Sequence, residues 1–308
     1  MTTIAEQSRR IASTESWEIP EGRPWYRRAT RLAADNPVGA AAFVIVVLFV
    51  FAGLFGSAIA PYDPMALDAT SQFLGPSGAH VFGTDKFGHD IFSRILTGAH
   101  IDLKFGVIVI FLGFLPGVTL GIVSGYARGW LDYVIQRSAE AWTAFPQLFL
   151  LLTFVAAFGP GLKTVEAVVA IGALFSGSRL LRVVALVEKQ KEYVVAARST
   201  GASEYRLLWR HVVPNIMPFI LVGFSSVFAV AVLFEATLSY LGLGVASGQP
   251  SWGNDLSFNM NNGGTKYPFL VFFPGLAISI VVLGFNLLGD TLRDVLDPRL
   301  RGSTGGKK

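Results

Sequence analysis

The sequence contains no cysteine and few charged residues. Without cysteine, the 308-residue chain has no disulfides, no thiolate-bound iron–sulfur cluster and no thiolate nucleophile. Charged residues make up 15% of the chain, against about 25% in typical soluble domains, and hydrophobic residues make up 52%. This composition excludes a disordered protein, a coiled coil and an ordinary cytosolic enzyme. Several apolar runs are about 20 residues long, enough to cross a bilayer core, and they predict a polytopic membrane protein.

The motifs of common catalytic sites are also missing. The only Gly-Lys pair of Walker type, Gly306-Lys307, has Arg301 where the first glycine belongs, and no Ser or Thr follows it. There is no H-E-x-x-H or G-x-S-x-G motif, and the four histidines lack metal-ligand spacing. We therefore expect no catalytic residue, metal or cofactor in this chain, which argues against a membrane-bound enzyme.

The hydrophobic runs predict an all-α protein with six transmembrane helices. The predicted spans cover residues 38–59, 102–125, 138–159, 165–187, 213–241 and 268–290. They lie within a membrane domain of residues 37–301, after a polar segment of residues 1–36 that is too long and too polar for a signal peptide. Residues 302–308 are expected to form a disordered tail.

The basic residues predict the orientation of these spans. With both termini in the cytoplasm, the outer pieces hold only five of the 25 Lys and Arg residues, namely Lys86, Arg94, Lys104, Lys163 and Lys266. Such an asymmetry follows the positive-inside rule. It also explains the net charge of +4 without a nucleic-acid partner, because the basic residues lie between the spans.

Two small features lie within the spans. Gly113, Gly117, Gly121 and Gly125 recur every four residues in the second span, so they form one stripe of a helix. Such a stripe favours close packing of another helix, and a groove lining a ligand is the alternative. Glu235 is the one acid predicted well inside a span. It is either a structural acid near the outer end of its helix or part of a translocation path. The small number of charged residues within the spans disfavours an ion-coupled secondary transporter.

Two connectors are too long to be simple links. The outer one, residues 60–101, contains the polar run Gly83–Asp90. The inner one, residues 188–212, has the pattern of helix, turn and helix. Tyr193, Ala196, Ala197 and Thr200 fall on one helical face, Gly201 is suited to end that helix, and Ser203 to begin the next. A face of small side chains followed by a sharp turn suits a groove in a partner protein.

The inner connector resembles the EAA loop of ABC importer permeases. Ala196-Ala197, Gly201 and Pro214 match its pattern, while Val195 stands where the pattern has Glu. The second permease subunit of dipeptide and oligopeptide importers is similar in three further stretches. These are Gly83–Asp90, the segment Glu235–Gly244 with Pro250-Ser251-Trp252-Gly253, and the closing Leu296-Asp297-Pro298-Arg299-Leu300-Arg301.

The resemblance implies a six-helix permease of the type I ABC importer fold in a prokaryotic plasma (inner) membrane. Its partners would be a homologous permease, two ATPase subunits that bind ATP and Mg²⁺, and an extracytoplasmic solute-binding protein. The inner loop would be the coupling helix, with contacts from Tyr193, Ala196, Ala197, Gly201, Ala202 and Pro214.

The resemblance gives weaker expectations for the outer side and for the substrate. Asp85, Lys86, His89 and Asp90 are expected to dock the binding protein or form a gate, with a structural cap as the alternative. Glu235 and Tyr240 are candidates for the path. The expected substrate is a dipeptide or oligopeptide, and nickel, glutathione or another small solute remains open.

Overall fold

Helices account for nearly all regular structure. The computed structural model describes residues 34, 36–127 and 129–296, and the other regular structure within them is an isolated β-bridge between Thr84 and Asp90. In chain order the helices are α1 (Pro37–Ile59), α2 (Ile91–Ala127), α3 (Trp130–Thr143), α4 (Gln147–Phe158), α5 (Leu162–Glu188), α6 (Glu192–Ser199), α7 (Glu204–Tyr240), α8 (Trp252–Asn261) and α9 (Phe269–Leu296).

Five of these helices, α1, α2, α5, α7 and α9, are long and apolar enough to cross a membrane. The pair α3–α4 meets the same criterion when taken together, which gives up to six spans in the described residues. The predicted all-helical membrane fold is therefore confirmed. The N-terminal segment before residue 34, the tail 302–308 and the closing Asp297–Arg301 motif lie outside the described residues.

The third predicted span, 138–159, is not one straight helix. α3 and α4 are bent by 85° at a break that ends in Pro146. Proline has no N–H to continue the hydrogen-bond ladder, and it disfavours the helical conformation of the residue before it. Pro146 instead begins the new helix, with its carbonyl accepting a hydrogen bond from the N–H of Phe149 at 2.9 Å.

Two spans begin earlier than predicted. α2 begins at Ile91 rather than near 102, because Asp90 caps it by accepting a hydrogen bond from the N–H of Ser93 at 2.8 Å. α7 begins at Glu204 rather than near 213, so the second half of the inner connector is continuous with the fifth span. The outer connector is therefore residues 60–90, which we call the long loop.

The helices α2 and α7 each contain a wider π-helical turn just before a proline. Residues Ile110–Phe114 precede Pro116, and Leu208–Val212 precede Pro214. A proline ring clashes with the carbonyl four residues earlier in a regular α-helix, and a π turn relieves that clash. The two helices therefore pass their prolines without breaking, unlike the third span at Pro146.

The glycine stripe of α2 lies directly against the backbone of α5. A Cβ atom at any of these four positions would lie only 2.2–2.6 Å from a backbone oxygen of α5. The glycines and the α5 residues whose oxygens they face are Gly113 and Ala170, Gly117 and Leu174, Gly121 and Ser178, and Gly125 and Arg182. The absence of side chains thus permits contact between the two helices over four turns. The two backbones leave no groove for a ligand between them.

A cluster of aromatic rings joins the other spans. Phe228 of α7 stacks on Phe285 of α9 with centroids 4.2 Å apart, and Phe49 of α1 meets both rings edge-on. Gly106 of α2 makes room for this cluster, since a Cβ there would lie 2.4 Å from the Phe228 ring. The long loop and α8 lie at one end of the resulting bundle, the long-loop end, and α6 lies at the other.

Candidate functional site

The helix α6 has the local signals that the sequence predicts. Glu192 in its first turn and Arg198 in its last turn complement the helix dipole. Gly201 follows with φ of +85°, a conformation that glycine adopts at little cost, and its N–H donates to the carbonyl of Arg198 at 3.0 Å. Ser203 then caps α7 by accepting a hydrogen bond from the N–H of Arg206. The turn between the helices is thus built into the sequence.

The face that α6 exposes differs from the predicted one. Tyr193 and Ala197 were expected to contact a partner, but both pack inward against the hydrophobic core beside the fully buried Val194. Val195, with 53% of its surface exposed, and Ala196 point outward, together with Ser199 and Thr200. The inward turn of Tyr193 and Ala197 follows from the nearby core, which a helical wheel cannot show. Of the other predicted coupling residues, Gly201 is exposed, Ala202 packs on the core and Pro214 follows the π turn in α7.

Tyr193 anchors α6 to the end of α5. Its hydroxyl donates to Oε1 of Glu188 at 2.7 Å, and Glu188 is only 3% exposed. Lys191 holds the second carboxylate oxygen with its Nζ 2.7 Å from Oε2. Burial raises the pKa of the Tyr193 phenol, and the hydrogen bond to Glu188 acts in the same direction. The phenol therefore stays protonated and serves as a donor at neutral pH.

A second set of contacts joins α6 to α2 and α7 at the surface. Nε of Arg198 lies 3.0 Å from Oε1 of Glu204, and the hydroxyl of Tyr126 donates to the same carboxylate. Lys189 donates to the backbone oxygen of Tyr126 at 2.5 Å and lies over its ring. These contacts tie α6 and the turn before it to the ends of α2 and α7 and, through Glu188, to the end of α5.

In the long loop, the predicted docking residues are mostly buried. Nδ1 of His89 lies 2.8 Å from Oδ2 of Asp85, and Nδ1 of His80 lies 3.0 Å from Oδ1 of Asp90. Asp85, His89 and Asp90 are all buried, whereas Lys86 is exposed and donates to the side-chain oxygen of Asn262 at 3.1 Å. The burial opposes direct contact between a partner and the first three residues, and it favours the structural-cap alternative for them.

Asp85 is the centre of this part of the long loop. The backbone N–H groups of Phe87 and His89 donate to its Oδ1 at 2.7 and 3.0 Å. Burial raises the pKa of Asp85, but the hydrogen bond and charge of His89 together with the backbone donors outweigh it, so the pKa lies below its ordinary value. Asp85 therefore holds the turn Asp85–His89 as a carboxylate.

A buried ion pair that the sequence did not predict joins the elements of the long-loop end. Arg94 of α2 donates to Oδ1 of Asp255 of α8 at 2.9 Å from Nε and 2.5 Å from Nη2. The same guanidinium reaches the backbone oxygens of Pro64, Gly248 and Gln249. Burial raises the pKa of Asp255, while Arg94 acts in the opposite direction. Asp90, a good N-cap residue before Ile91, was the signal that would have placed Arg94 inside a helix.

The candidate path residues lie in different surroundings. Glu235 is 1% exposed within α7, and its Oε1 accepts hydrogen bonds from the hydroxyls of Ser239 at 2.8 Å and Ser251 at 3.1 Å. Tyr240 ends α7 and is exposed. Because α2 begins before residue 102, Asp102 also lies inside a span, so Glu235 is not the one intramembrane acid. Asp102 is fully buried on the face of α2 where Gly98 meets Trp252 and Gly106 meets Phe228.

Two open cavities lie at opposite ends of the bundle. The one at the long-loop end has a volume of about 460 Å³, and its lining includes Ser239, Asn254 and Asp255. The one at the α6 end has a volume of about 400 Å³ and is lined by Arg179, Arg182 and Asp132 among others. No group of three or more metal-binding side chains occurs in the part of the chain that the structure describes.

The chain is a bundle of apolar, membrane-length helices with a short, partly exposed helix at one end, and comparisons with known proteins identify its class. The family model described as "Binding-protein-dependent transport system inner membrane component" matches residues 117–302. The chain belongs to this family, which comprises the inner-membrane permeases of ABC importers.

The relatives make the similarity more specific. The chain is 39% identical over 279 residues to the glutathione transport system permease protein GsiD of Pectobacterium atrosepticum, covering 90% of this chain and 92% of the relative. It is 34% identical over 278 residues to the dipeptide transport system permease protein DppC of Alkalihalophilus pseudofirmus, covering 90% and 91%. GsiD of Escherichia coli O6:K15:H31 is 40% identical over 283 residues, covering 91% and 92%. The resemblance to the second permease of peptide importers is thereby confirmed.

Proposed function

We propose that this chain pairs with a homologous permease to form the translocation path of an ATP-driven importer for short peptides, including glutathione. Two separate ATPase subunits would bind ATP and Mg²⁺, and an extracytoplasmic binding protein would deliver the peptide. The substrate proposal rests on relatives that are named for glutathione and for dipeptides. Glutathione is itself a tripeptide, so one class of substrate accounts for both names.

The contacts and the exposed face of α6 support its proposed role in coupling the ATPase subunits to the spans. It is tied to the ends of α5, α2 and α7 through Glu188, Lys189 and Glu204, yet Val195 and Ala196 on its outer face touch no core. An exposed short helix with small side chains suits a groove in a partner, and its ties carry movement of that partner into the spans. The outer face of α6 is therefore the proposed contact with an ATPase subunit.

Substitutions at Val195 test this contact without disturbing the core. Val195→Asp places a charge in the proposed groove, so we expect the ATPase subunits to be lost from the purified complex and uptake to be abolished. Val195→Thr keeps the shape of the side chain and is the matched control, with uptake near that of the wild type. Full association and uptake in Val195→Asp would contradict the coupling role of α6.

The substrate is tested with the purified cognate binding protein. We expect mass spectrometry of its bound ligand to identify a short peptide, and an excess of unlabelled glutathione to reduce uptake of a labelled dipeptide in cells with the complete importer. A nickel ion or another non-peptide ligand on the binding protein would overturn the peptide proposal. That result would leave the permease role unchanged.

The proposed orientation places both termini and α6 in the cytoplasm. Because the chain has no cysteine, Ser77→Cys in the long loop and Thr200→Cys after α6 each introduce a unique thiol. An impermeant thiol reagent should label the first variant in intact cells and the second only after the membrane is opened. The reverse pattern would overturn the orientation.

A further inference from the structure

The buried acids Asp102 and Glu235 form a site that the importer function does not explain. Asp102 is 0% exposed on α2 and Glu235 is 1% exposed on α7, so both carboxyl groups lie within the packed bundle. α8 covers them: the indole N–H of Trp252 donates to the backbone oxygen of Ile95 at 2.9 Å, and the buried Ser251 contacts Glu235. The two acids thus join three elements that are distant in sequence.

The hydrogen bonds at this site are incomplete. Oε1 of Glu235 accepts from the hydroxyls of Ser239 and Ser251. Neither Oδ1 nor Oδ2 of Asp102, nor Oε2 of Glu235, receives a hydrogen from any N–H or hydroxyl group of the described residues. Asp102 lies one turn from Gly98, which faces Trp252, and one turn from Gly106, which faces Phe228. Glu235 lies between Phe228 and Ser251 on the facing side, so the two acids with unpartnered oxygens lie opposite each other. Two carboxyl groups form a hydrogen bond with each other only if one of them carries a proton.

The charged groups on the surrounding elements are engaged elsewhere or point away. On α2, the Arg94 guanidinium binds Asp255 of α8 and Nδ1 of His100 lies 2.8 Å from the backbone oxygen of Gly53. Lys104, the next charged residue of α2, is exposed. α1 has no charged residue, and those of α9 are Asp290, Arg293 and Asp294 in its last turns. Among the described residues, no cation donates a hydrogen bond to either oxygen of Asp102.

Two adjacent ionised carboxylates without a counterion are strongly unfavourable inside an apolar bundle, because burial and mutual repulsion both oppose the second charge. A proton between them leaves one charge and forms a charge-assisted hydrogen bond, which is among the stronger kinds. We propose that Asp102 and Glu235 share a single proton, which holds α2 against α7 beneath α8 at the long-loop end of the importer.

Infrared spectroscopy of the purified full importer complex tests this proposal, because a protonated carboxyl group has a C=O stretching band that an ionised one lacks. We compare the wild type with D102N, E235Q and D102N/E235Q. In each single variant the amide N–H donates to the remaining carboxylate in place of the shared proton, so that carboxylate is ionised. We therefore expect both single variants to lose the same one band, and the double variant to lose no more.

The control is E140Q, which removes an exposed acid paired with Arg137 at 2.6 Å and should leave the protonated-carboxyl region unchanged. Loss of two separate bands in the double variant would mean two independent protons and would overturn sharing. No band lost in any variant would mean two ionised groups and would also overturn it.

Assembly of the variants provides a second test. An amide reproduces the donor and the acceptor of a neutral carboxylic acid, so at least one of D102N and E235Q should assemble with a thermal midpoint close to that of the wild type. D102A leaves Glu235 without this donor and should lower the midpoint more than D102N does. Failure of both amide variants to assemble would contradict a shared proton.

Discussion

At the α6 end of the bundle the charged side chains lie largely at the surface, whereas at the long-loop end they are buried in pairs. Arg198 and Glu204 form an exposed ion pair around an exposed helix, while Arg94 and Asp255 are both almost fully buried. Exposed ion pairs contribute little and break easily, but a buried pair that loses one member leaves an uncompensated charge. The α6 end is thus suited to exchanging contacts with a partner, and the long-loop end to holding its own shape.

Breaking the Arg94–Asp255 pair should have the largest effect. Arg94→Met leaves the Asp255 carboxyl buried without its partner, which costs about 3–5 kcal/mol in comparable pairs. We expect a large drop in the thermal midpoint of the purified complex. Arg94→Met combined with Asp255→Leu should recover part of this loss because it removes both charges.

The exposed pair Arg137–Glu140 provides the control for that experiment. Its side chains are 64% and 50% exposed, so Arg137→Gln should change stability by less than about 1 kcal/mol. An equal effect of Arg94→Met and Arg137→Gln would remove the contrast between buried and exposed pairs.

A side chain in the glycine stripe should have the next largest effect. Gly117→Val places a Cβ 2.2 Å from the backbone oxygen of Leu174, so α2 and α5 must separate. Overpacking of this kind costs about 1–3 kcal/mol. We expect reduced accumulation of the complex in the membrane, measured by immunoblot. Gly78→Ala is the control, because no atom lies within 4 Å of a Cβ there. Normal accumulation of Gly117→Val would show that the two helices are free to move apart.

Removing the Asp85 carboxylate should have a comparable effect that depends on pH. Asp85→Asn leaves the backbone donors and His89 with a weaker acceptor, a loss of about 1–3 kcal/mol. The pKa of Asp85 is lowered in the folded chain, so its stabilisation is present at neutral pH and is lost as the pH falls below about 4. Thermal midpoints of the wild type and the variant should differ at pH 7 and converge in acid. A difference that stays constant with pH would refute the role of the ionised form.

The exposed pair at the α6 end should have the smallest effect on stability. Arg198→Gln removes an ion pair with Glu204 whose side chains are about half exposed. The free energy of unfolding should therefore fall by no more than about 1 kcal/mol, with a correspondingly small shift in the thermal midpoint. If the pair transmits movement of α6, the same variant should lower uptake relative to ATP hydrolysis. An unchanged ratio of uptake to hydrolysis would exclude this pair from coupling.

Parts of each site could be predicted from local patterns. Gly201 and Ser203 define the turn after α6 because backbone conformation and helix capping depend on neighbouring residues. The spacing of Gly113, Gly117, Gly121 and Gly125 likewise predicted a packing stripe. The exposed face of α6 was harder to predict: Tyr193 and Ala197 follow helical spacing, but the nearby core and Glu188 turn them inward.

By itself the sequence determined that the chain spans a membrane and where its helices pack closely, because a bilayer requires long apolar runs and close packing requires small residues at helical spacing. Only the tertiary structure decided which polar groups meet. Asp102 and Glu235, like Arg94 and Asp255, lie on elements far apart in the chain, and no local periodicity relates them. Their pairing arises because α8 folds back over α2 and α7 and buries these groups together, where a charge without a partner is costly.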